Sequence, residues 1–150
     1  MKTLIGISGS LRKDSFNTRL LNYARVLLAE QGVDLQIADL NELVLPFFNQ
    51  EIQDAGFPAN LDKLKTLLEK ADGLVIAQPE YNHSIPAVLK NAIDWLSRYR
   101  PSPLKNKHAF LMSASPGSVG GNRGLWALRR PLEVCGVHVF TSMYSLSSAK

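Results

Sequence analysis

Residues 73–95, GLVIAQPEYNHSIPAVLKNAIDW, decide how this chain folds. The apolar run at residues 74–77 ends before Pro79, and a polar loop with one aromatic ring follows at residues 80–84. Pro86 then begins a segment whose apolar side chains recur at helical spacing. The stretch therefore predicts a buried strand, a loop at its carboxyl end and a crossover helix. Ligands of open α/β sheets bind at the carboxyl ends of the strands, so this loop is a predicted binding loop.

Strands and helices alternate along the rest of the chain, without a linker or an internal repeat. The other strands are predicted at residues 3–8, 33–38, 108–113 and 137–143. The other helices are predicted from Asn17, from Asn60 as N-cap and over residues 121–135, where Pro131 should bend or interrupt the helix. The helix from Asn17 is expected to bury its apolar side chains, Leu20, Leu21, Ala24, Leu27 and Leu28. A long loop is expected at residues 39–59. The pattern predicts an α/β fold: a three-layer, doubly wound, parallel five-stranded sheet in the flavodoxin-like order 2-1-3-4-5. The loops after strands one and three would then face each other across one crevice.

The chain stops soon after the fifth predicted strand, at Lys150. A complete fold of this type needs one more helix beside the first, so we expect part of one sheet face to be bare. A helix face of five or six aliphatic side chains would contribute roughly 8–15 kcal/mol of burial. Either the chain is shorter than its relatives or a partner subunit covers the face, and the sequence leaves both open.

Composition limits the possible classes of protein. A chain of 150 residues with 45% hydrophobic content is expected to form one domain over residues 1–150. It contains no apolar run of about 18 residues and so predicts no membrane span. The single cysteine, Cys135, is expected to be a packing residue in a protein of the reducing cytoplasm. The net charge of +4 is scattered rather than clustered, which argues against nucleic acid; it suits a small anionic ligand or solubility alone.

The first loop, residues 9–18, has the composition of a phosphate site. The amino terminus of a helix attracts anions, and this loop adds hydroxyl, amide and guanidinium donors from Ser10, Arg12, Ser15, Asn17 and Thr18. It matches neither the Gly-x-Gly-x-x-Gly fingerprint nor a Gly-Lys-Ser/Thr loop, so a terminal monophosphate is favoured over a pyrophosphate. The alternative is an ordinary solvated helix cap.

In the second loop, Tyr81 is placed to lie against a planar ring while Asn82 and backbone groups bind its edge. The alternative for Tyr81 is an interface residue. Glu80 is as consistent with a solvated carboxylate as with a functional one. No partner can be assigned to His83, so it is not expected to act as an acid or base, and Asp94 and Trp95 are expected to be structural.

The third loop, residues 113–123, contains glycines that let a flat ligand approach the backbone, the alternative being a flexible connection. The three histidines have no metal-ligand spacing, and neither a Cys-x-x-Cys pair nor a Gly-x-Ser-x-Gly elbow occurs. No metal site is therefore predicted. Trp126 is expected in the core or in a subunit contact.

Together, the segments Gly9-Ser10-Leu11-Arg12…Ser15-Phe16-Asn17, Pro79 to Trp95, and Ser115-Pro116-Gly117…Arg123 resemble the NADPH-dependent FMN reductase family. That family includes quinone, chromate and azo-dye reductases. One departure is Ala87, where relatives usually carry glycine. The resemblance implies FMN as cofactor and a homodimer or homotetramer with the flavin near the subunit interface. It implies a phosphate held by Ser10, Arg12, Ser15 and Asn17, and a ring bordered by Pro79, Glu80, Tyr81, Asn82, Ser115 and Gly117.

The implied activity is transfer of hydride from NAD(P)H, as co-substrate, to flavin N5 and then to a quinone, free flavin or similar small-molecule acceptor. The flavin performs this chemistry, so no catalytic side chain is predicted. A flavodoxin-type electron carrier is the main alternative, although such carriers are usually strongly acidic. A shortened member without activity is a third possibility. The sequence does not distinguish NADH from NADPH or identify the acceptor.

Overall fold

The computed structural model of the protein describes residues 2–150. Its centre is a sheet of parallel strands, built from the apolar runs of the sequence: β1 (Lys2–Ser8), β2 (Val33–Ala38), β3 (Gly73–Ala77), β4 (His108–Ala114), β5 (His138–Val139) and β6 (Tyr144–Leu146). The order is β2-β1-β3-β4-β5, which confirms the predicted order, and β6 also pairs with β4. Because the strands are parallel, the loops after β1, β3 and β4 leave the same edge of the sheet.

The fifth strand differs from the prediction, because residues 137–143 do not form one continuous strand. His108 of β4 pairs with His138, an offset of 30 residues, whereas Met112 pairs with Tyr144, an offset of 32. Two extra residues therefore lie between β5 and β6, and the chain leaves the ladder there as it does at a bulge. Met112 pairs with Ala77 of β3 on its other side, so β5 and β6 share one edge of β4.

Residues 2–150 form five helices: α1 (Phe16–Glu30), α2 (Gln50–Ala55), α3 (Ala59–Lys70), α4 (Ala87–Leu96) and α5 (Asn122–Val134). The expected loop at residues 39–59 contains the short helix α2, which Asn49 caps by accepting from the backbone N–H of Glu51. Asn60 is not an N-cap, because Pro58 occupies that position and α3 begins one residue earlier. Pro131 lies inside α5 without interrupting it.

The two faces of the sheet are covered unequally. Helices α3, α4 and α5 pack on one face and form the larger core cluster, while α1 alone packs on the other around Leu21. Leu27, expected to be buried, is exposed, and so are the rings of Tyr23, Phe140 and Tyr144. Within the described residues no helix follows β6. Nor is any helix between residues 2 and 150 long and apolar enough to cross a membrane.

Candidate functional site

Three loops meet at the carboxyl edge of the sheet. The first loop (residues 9–15) follows β1, the second (residues 78–86) follows β3, and the third (residues 115–121) follows β4. They enclose one cleft, lined by Ser10, Arg12, Ser15, Phe16, Asn17, Pro79, Glu80, Tyr81, Ala114, Ser115 and Pro116. Of the predicted site residues, Asn82 and Gly117 do not line the cleft but adjoin residues that do. The structure thus brings the separate sequence motifs to one place.

The first loop presents hydroxyl and guanidinium donors. Ser15 is the N-cap of α1, and its Oγ accepts from the backbone N–H groups of Asn17 and Thr18 at 3.2 and 3.4 Å. Ser10 is buried, and its Oγ accepts from the backbone N–H of Arg12 at 3.3 Å. A hydroxyl that accepts a hydrogen bond keeps its own hydrogen to donate, and the exposed Arg12 uses one N–H on the Asp14 carbonyl. The donor set suits a phosphate monoester.

Asn17 has a different role from the serines. Its side chain is buried, and its amide forms two hydrogen bonds with the backbone of Ala114: Nδ2 donates to the carbonyl at 3.0 Å, and Oδ1 accepts from the N–H at 2.9 Å. The amide therefore binds the start of α1 to the end of β4, across β3. Thr18 is also engaged, because its hydroxyl lies 2.9 Å from that of Ser8.

The second loop contains a tight two-residue turn. Tyr81 and Ser84 exchange backbone hydrogen bonds of 3.0 and 3.2 Å, and the residues between them, Asn82 and His83, have φ angles of 50° and 61°. Two successive left-handed residues are the geometry of a type I′ hairpin turn, which usually contains glycine. The turn presents the half-exposed ring of Tyr81 at the cleft and places His83 at its exposed tip.

Glu80 is not a solvated carboxylate. Its side chain is 9% exposed, Oε1 accepts from Arg123 Nε at 3.0 Å, and Oε2 accepts from the backbone N–H of Gly124 at 2.9 Å. The sequence did not predict this contact. Nothing in the local pattern pairs the second loop with the first turn of α5.

The third loop is held on both sides, so it is not a flexible connection. A Cβ on Gly121 would lie 2.0 Å from Ser113 Oγ, and that hydroxyl donates to the Gln78 carbonyl at 2.6 Å. On the other side, the backbone N–H of Ser115 donates to the Leu146 carbonyl at 3.0 Å, and the Ser115 carbonyl accepts from the backbone N–H of Ala149 at 3.0 Å. The last residues of the chain therefore extend the pairing of β6 alongside the third loop.

Asn91 also supports a segment near the cleft, and the sequence did not predict this role. Its amide accepts from the backbone N–H of Phe48 at 2.9 Å and donates to the Pro46 carbonyl at 2.9 Å. The indole of Trp95, fully buried as expected for a structural residue, donates to the same carbonyl at 2.8 Å. One face of α4 thus binds the segment that follows β2, where Phe47 shares an apolar pocket with Leu11 of the first loop.

The remaining candidates lie elsewhere. Trp126 is 59% exposed, so it does not lie in the core and the subunit contact stays a prediction; the Arg129 guanidinium lies 5.6 Å from its ring centre. Burial raises the pKa of the Cys135 thiol, which disfavours the reactive thiolate. His108 and His138 stack 5.1 Å apart at the opposite edge of the sheet from the cleft. No cluster of three or more metal-ligating side chains occurs in the described part of the chain.

Comparison with known proteins gives a consistent result. The family model of NADPH-dependent FMN reductases matches residues 1–150. The chain is 38% identical over 135 residues to an NAD(P)H-dependent FMN reductase of Pseudomonas aeruginosa, covering 90% of this chain and 71% of that protein. It is 39% identical over 131 residues to a quinone reductase of Escherichia coli, and the match covers 86% of this chain and 68% of that protein. A solved flavoenzyme from Paracoccus denitrificans, an NAD(P)H:acceptor oxidoreductase, superposes with a TM-score of 0.89 at 31% identity, covering 100% of this chain and 81% of that one.

Proposed function

The chain belongs to the NADPH-dependent FMN reductase family, and from this membership we propose that its cleft binds FMN and passes electrons from NAD(P)H to a quinone, a free flavin or a similar small acceptor. One observation carries the proposal. The donor set of a phosphate monoester site, the Tyr81 ring and the start of the third loop at Ser115 all line one cleft.

The residues of the cleft fit FMN, with different tasks for different loops. We propose that Ser10, Arg12 and Ser15 donate to the phosphate, while Asn17 keeps the start of α1 in place. The flavin ring would be bordered by Pro79, Glu80, Tyr81 and Asn82 of the second loop and by Ser115 and Gly117 of the third. When bound, FMN supplies the hydride chemistry, and the side chains bind it, orient it and leave access for the nicotinamide and the acceptor. No side chain needs to act as an acid or base.

The contribution of Arg12 provides the sharpest test of phosphate recognition. Arg12→Ala is expected to raise the dissociation constant of FMN roughly 10- to 100-fold, because charge-assisted hydrogen bonds are lost, and to leave riboflavin binding unchanged. Fluorescence quenching measures both, and Lys13→Ala is the control for a neighbouring exposed cation. Equal losses for FMN and riboflavin would show that the phosphate binds elsewhere.

Reduction by the nucleotide tests the activity itself. The FMN-loaded protein is expected to lose its yellow absorbance when NADPH or NADH is added without oxygen. A protein that binds FMN but is bleached only in the presence of a separate reductase would instead be a flavodoxin-type carrier. The net charge of +4 favours the reductase over such a carrier, and the same titration ranks the two nucleotides. A protein that stays colourless with FMN would contradict both functions.

We also propose that residues 1–150 act as one flavin-binding domain, assembled as a homodimer or homotetramer in the cytoplasm. Support for assembly comes from exposed apolar side chains near the cleft, including Tyr81, Val119 and Trp126. Support for a reducing compartment comes from the lone free cysteine, Cys135. Sedimentation of the FMN-loaded protein measures the assembly, and a monomer at all concentrations would contradict it.

A further inference from the structure

The amino terminus of α5 lacks a cap from its own segment. Gly121 is the N-cap residue, in a left-handed conformation, and it has no side chain with which to bind the N–H groups of the first turn. Glu80 supplies the missing acceptor from the second loop, since Oε2 accepts from the backbone N–H of Gly124, 44 residues along the chain. A carboxylate at this position also interacts favourably with the helix dipole.

The packing around this contact leaves little freedom for the two segments to separate or rotate. A Cβ on Gly124 would lie 3.1 Å from Glu80 Cβ and 3.3 Å from Glu80 Cα, so a side chain there would require the second loop or α5 to shift by a few tenths of an ångström. The same Cβ would lie 3.1 Å from Nε2 of the fully buried Gln78. The position of the second loop and that of α5 are therefore coupled.

Charges of opposite sign meet at this contact. The Glu80 carboxylate carries one negative charge, while the Arg123 guanidinium and the partial charge of the helix terminus are positive. Glu80 is nearly buried and also lines the cleft, whereas the Arg123 side chain is 49% exposed. Removal of either partner would leave uncompensated charge beside the place assigned to the flavin ring.

We propose that Glu80 is a positioning residue that binds the second loop to the start of α5, and that the Glu80–Arg123 pair sets both the affinity for the flavin and its reduction potential. The inference rests on the proposed function, since it concerns the same cleft. It assigns Glu80 an effect through α5 and Arg123 that is separate from any direct contact with the ring.

The two partners have opposite electrostatic effects. Two-electron reduction places negative charge on the flavin ring at neutral pH. Loss of the Glu80 charge leaves Arg123 and the helix terminus unopposed, which stabilises the reduced form. Loss of the Arg123 charge leaves Glu80 less compensated, which destabilises the reduced form. Loosening of the loop alone would weaken binding in both variants and would not produce shifts of opposite sign.

The test compares Glu80→Gln, Arg123→Gln and a control, Asp94→Asn, which removes the carboxylate of an exposed ion pair on α4. For each protein, the dissociation constant of oxidised FMN and the midpoint potential are measured. The dissociation constant of oxidised FMN divided by that of reduced FMN is expected to rise about tenfold in Glu80→Gln and to fall about tenfold in Arg123→Gln. A tenfold change corresponds to about 30 mV for a two-electron couple. The control should match the wild type.

Shifts of the same sign in the two variants, or potentials equal to that of the wild type, would overturn the proposal. Hydrogen exchange of the Gly124 amide without FMN tests the contact separately, and faster exchange in Glu80→Ala than in the wild type is expected. Equally slow exchange would overturn the proposal even if FMN binds. A wild-type protein that fails to bind FMN would instead contradict the proposed function. Hydrogen exchange of the Gly124 amide would still test the contact between Glu80 and α5 in that case.

Discussion

Asn17, Glu80 and Trp95 each use a side chain to bind the backbone of a distant segment. Their partners lie 97, 44 and 49 residues away along the chain, respectively. Because a backbone group offers the same hydrogen bond whatever residue carries it, a single polar side chain can hold a whole loop in place. The shape of the cleft depends on these contacts as much as on the residues that would touch a ligand.

Asn17 offers a direct measure of such a contact. Asn17→Ala removes two hydrogen bonds and leaves the buried N–H and carbonyl of Ala114 without partners, so a loss of about 2–4 kcal/mol in the free energy of unfolding is expected. Urea unfolding of the FMN-free protein measures it. Asn22→Ala, which removes an exposed amide on the same helix, should cost less than about 0.5 kcal/mol. Equal losses of unfolding free energy in the two variants would show that the hydrogen bonds to Ala114 stabilise the protein no more than an exposed amide does.

The turn at Asn82 and His83 stores conformational strain. His83→Gly should raise the free energy of unfolding by about 0.5–1 kcal/mol, because glycine adopts a φ of 61° without the penalty that a side chain incurs. Ser84→Gly, one residue later and outside the left-handed region, is the control and should lower stability. Thermal or urea unfolding checks both. A destabilised His83→Gly protein would mean that the imidazole makes a stabilising contact that outweighs the strain.

At the scale of elements, α4 has two structural roles: it packs in the core and it binds a neighbouring loop. Its inner face packs Leu89, Ile93 and Leu96 into the core, as the periodicity predicted. Asn91 and Trp95, on the same short helix, bind the segment after β2. The residues that follow the second loop in the sequence motif therefore have structural roles: some pack in the core, and others hold the segment after β2 in place.

The contact between α3 and the end of α4 is sensitive to alkaline pH. The Tyr99 hydroxyl donates to Asp62 Oδ1 at 2.6 Å, and burial together with that carboxylate raises the Tyr99 pKa above its ordinary value of 10. The unfolded chain then loses the phenol proton first. This contribution to stability is complete below the ordinary pKa and is lost as the pH rises through the higher, folded-state pKa.

Tyr99→Phe is therefore expected to lower stability at neutral pH and to reduce the decline in the free energy of unfolding between about pH 9 and about pH 11. Urea unfolding across that range measures the slope. Tyr23→Phe, which alters a tyrosine that is 63% exposed, should retain the slope of the wild type. Parallel curves for the wild type and Tyr99→Phe would contradict the assignment.

At the scale of the whole molecule, the sheet has one face covered by three helices and one covered by α1 alone. The exposed ring of Phe140 lies 6.3 Å from that of Phe110, and the exposed Tyr144 pairs with Met112; Phe110 and Met112 both belong to the smaller core cluster under α1. The cleft, by contrast, is built from loops that contact one another through the buried side chains described above. Binding of a ligand across these loops should therefore stabilise the whole molecule rather than a single segment.

FMN at about 100 times its dissociation constant is expected to raise the free energy of unfolding by about 2.7 kcal/mol, provided that the unfolded chain does not bind it. Urea unfolding with and without FMN measures the increase. Arg12→Ala at the same FMN concentration should show a smaller increase. Full stabilisation of that variant would place the phosphate away from the first loop.

Periodicity and the turn residues were sufficient to predict the strand order, the three loops and most of the helices. These features follow from local rules, because each side chain's burial repeats along the chain with the period of its own element. The errors lie where tertiary contacts override those rules. The fifth strand is broken by two extra residues, and Leu27 is exposed because nothing in the described structure covers it.

The amino-acid order alone thus established the first four strands of the sheet and which loops meet at its carboxyl edge. Three-dimensional packing alone revealed that Asn17 binds Ala114, that Glu80 caps α5 and that Asn91 holds the Pro46 carbonyl. The physical reason is range. A hydrogen bond forms only when two atoms come within about 3 Å of each other, and no local pattern records which distant backbone groups the folded chain brings that close.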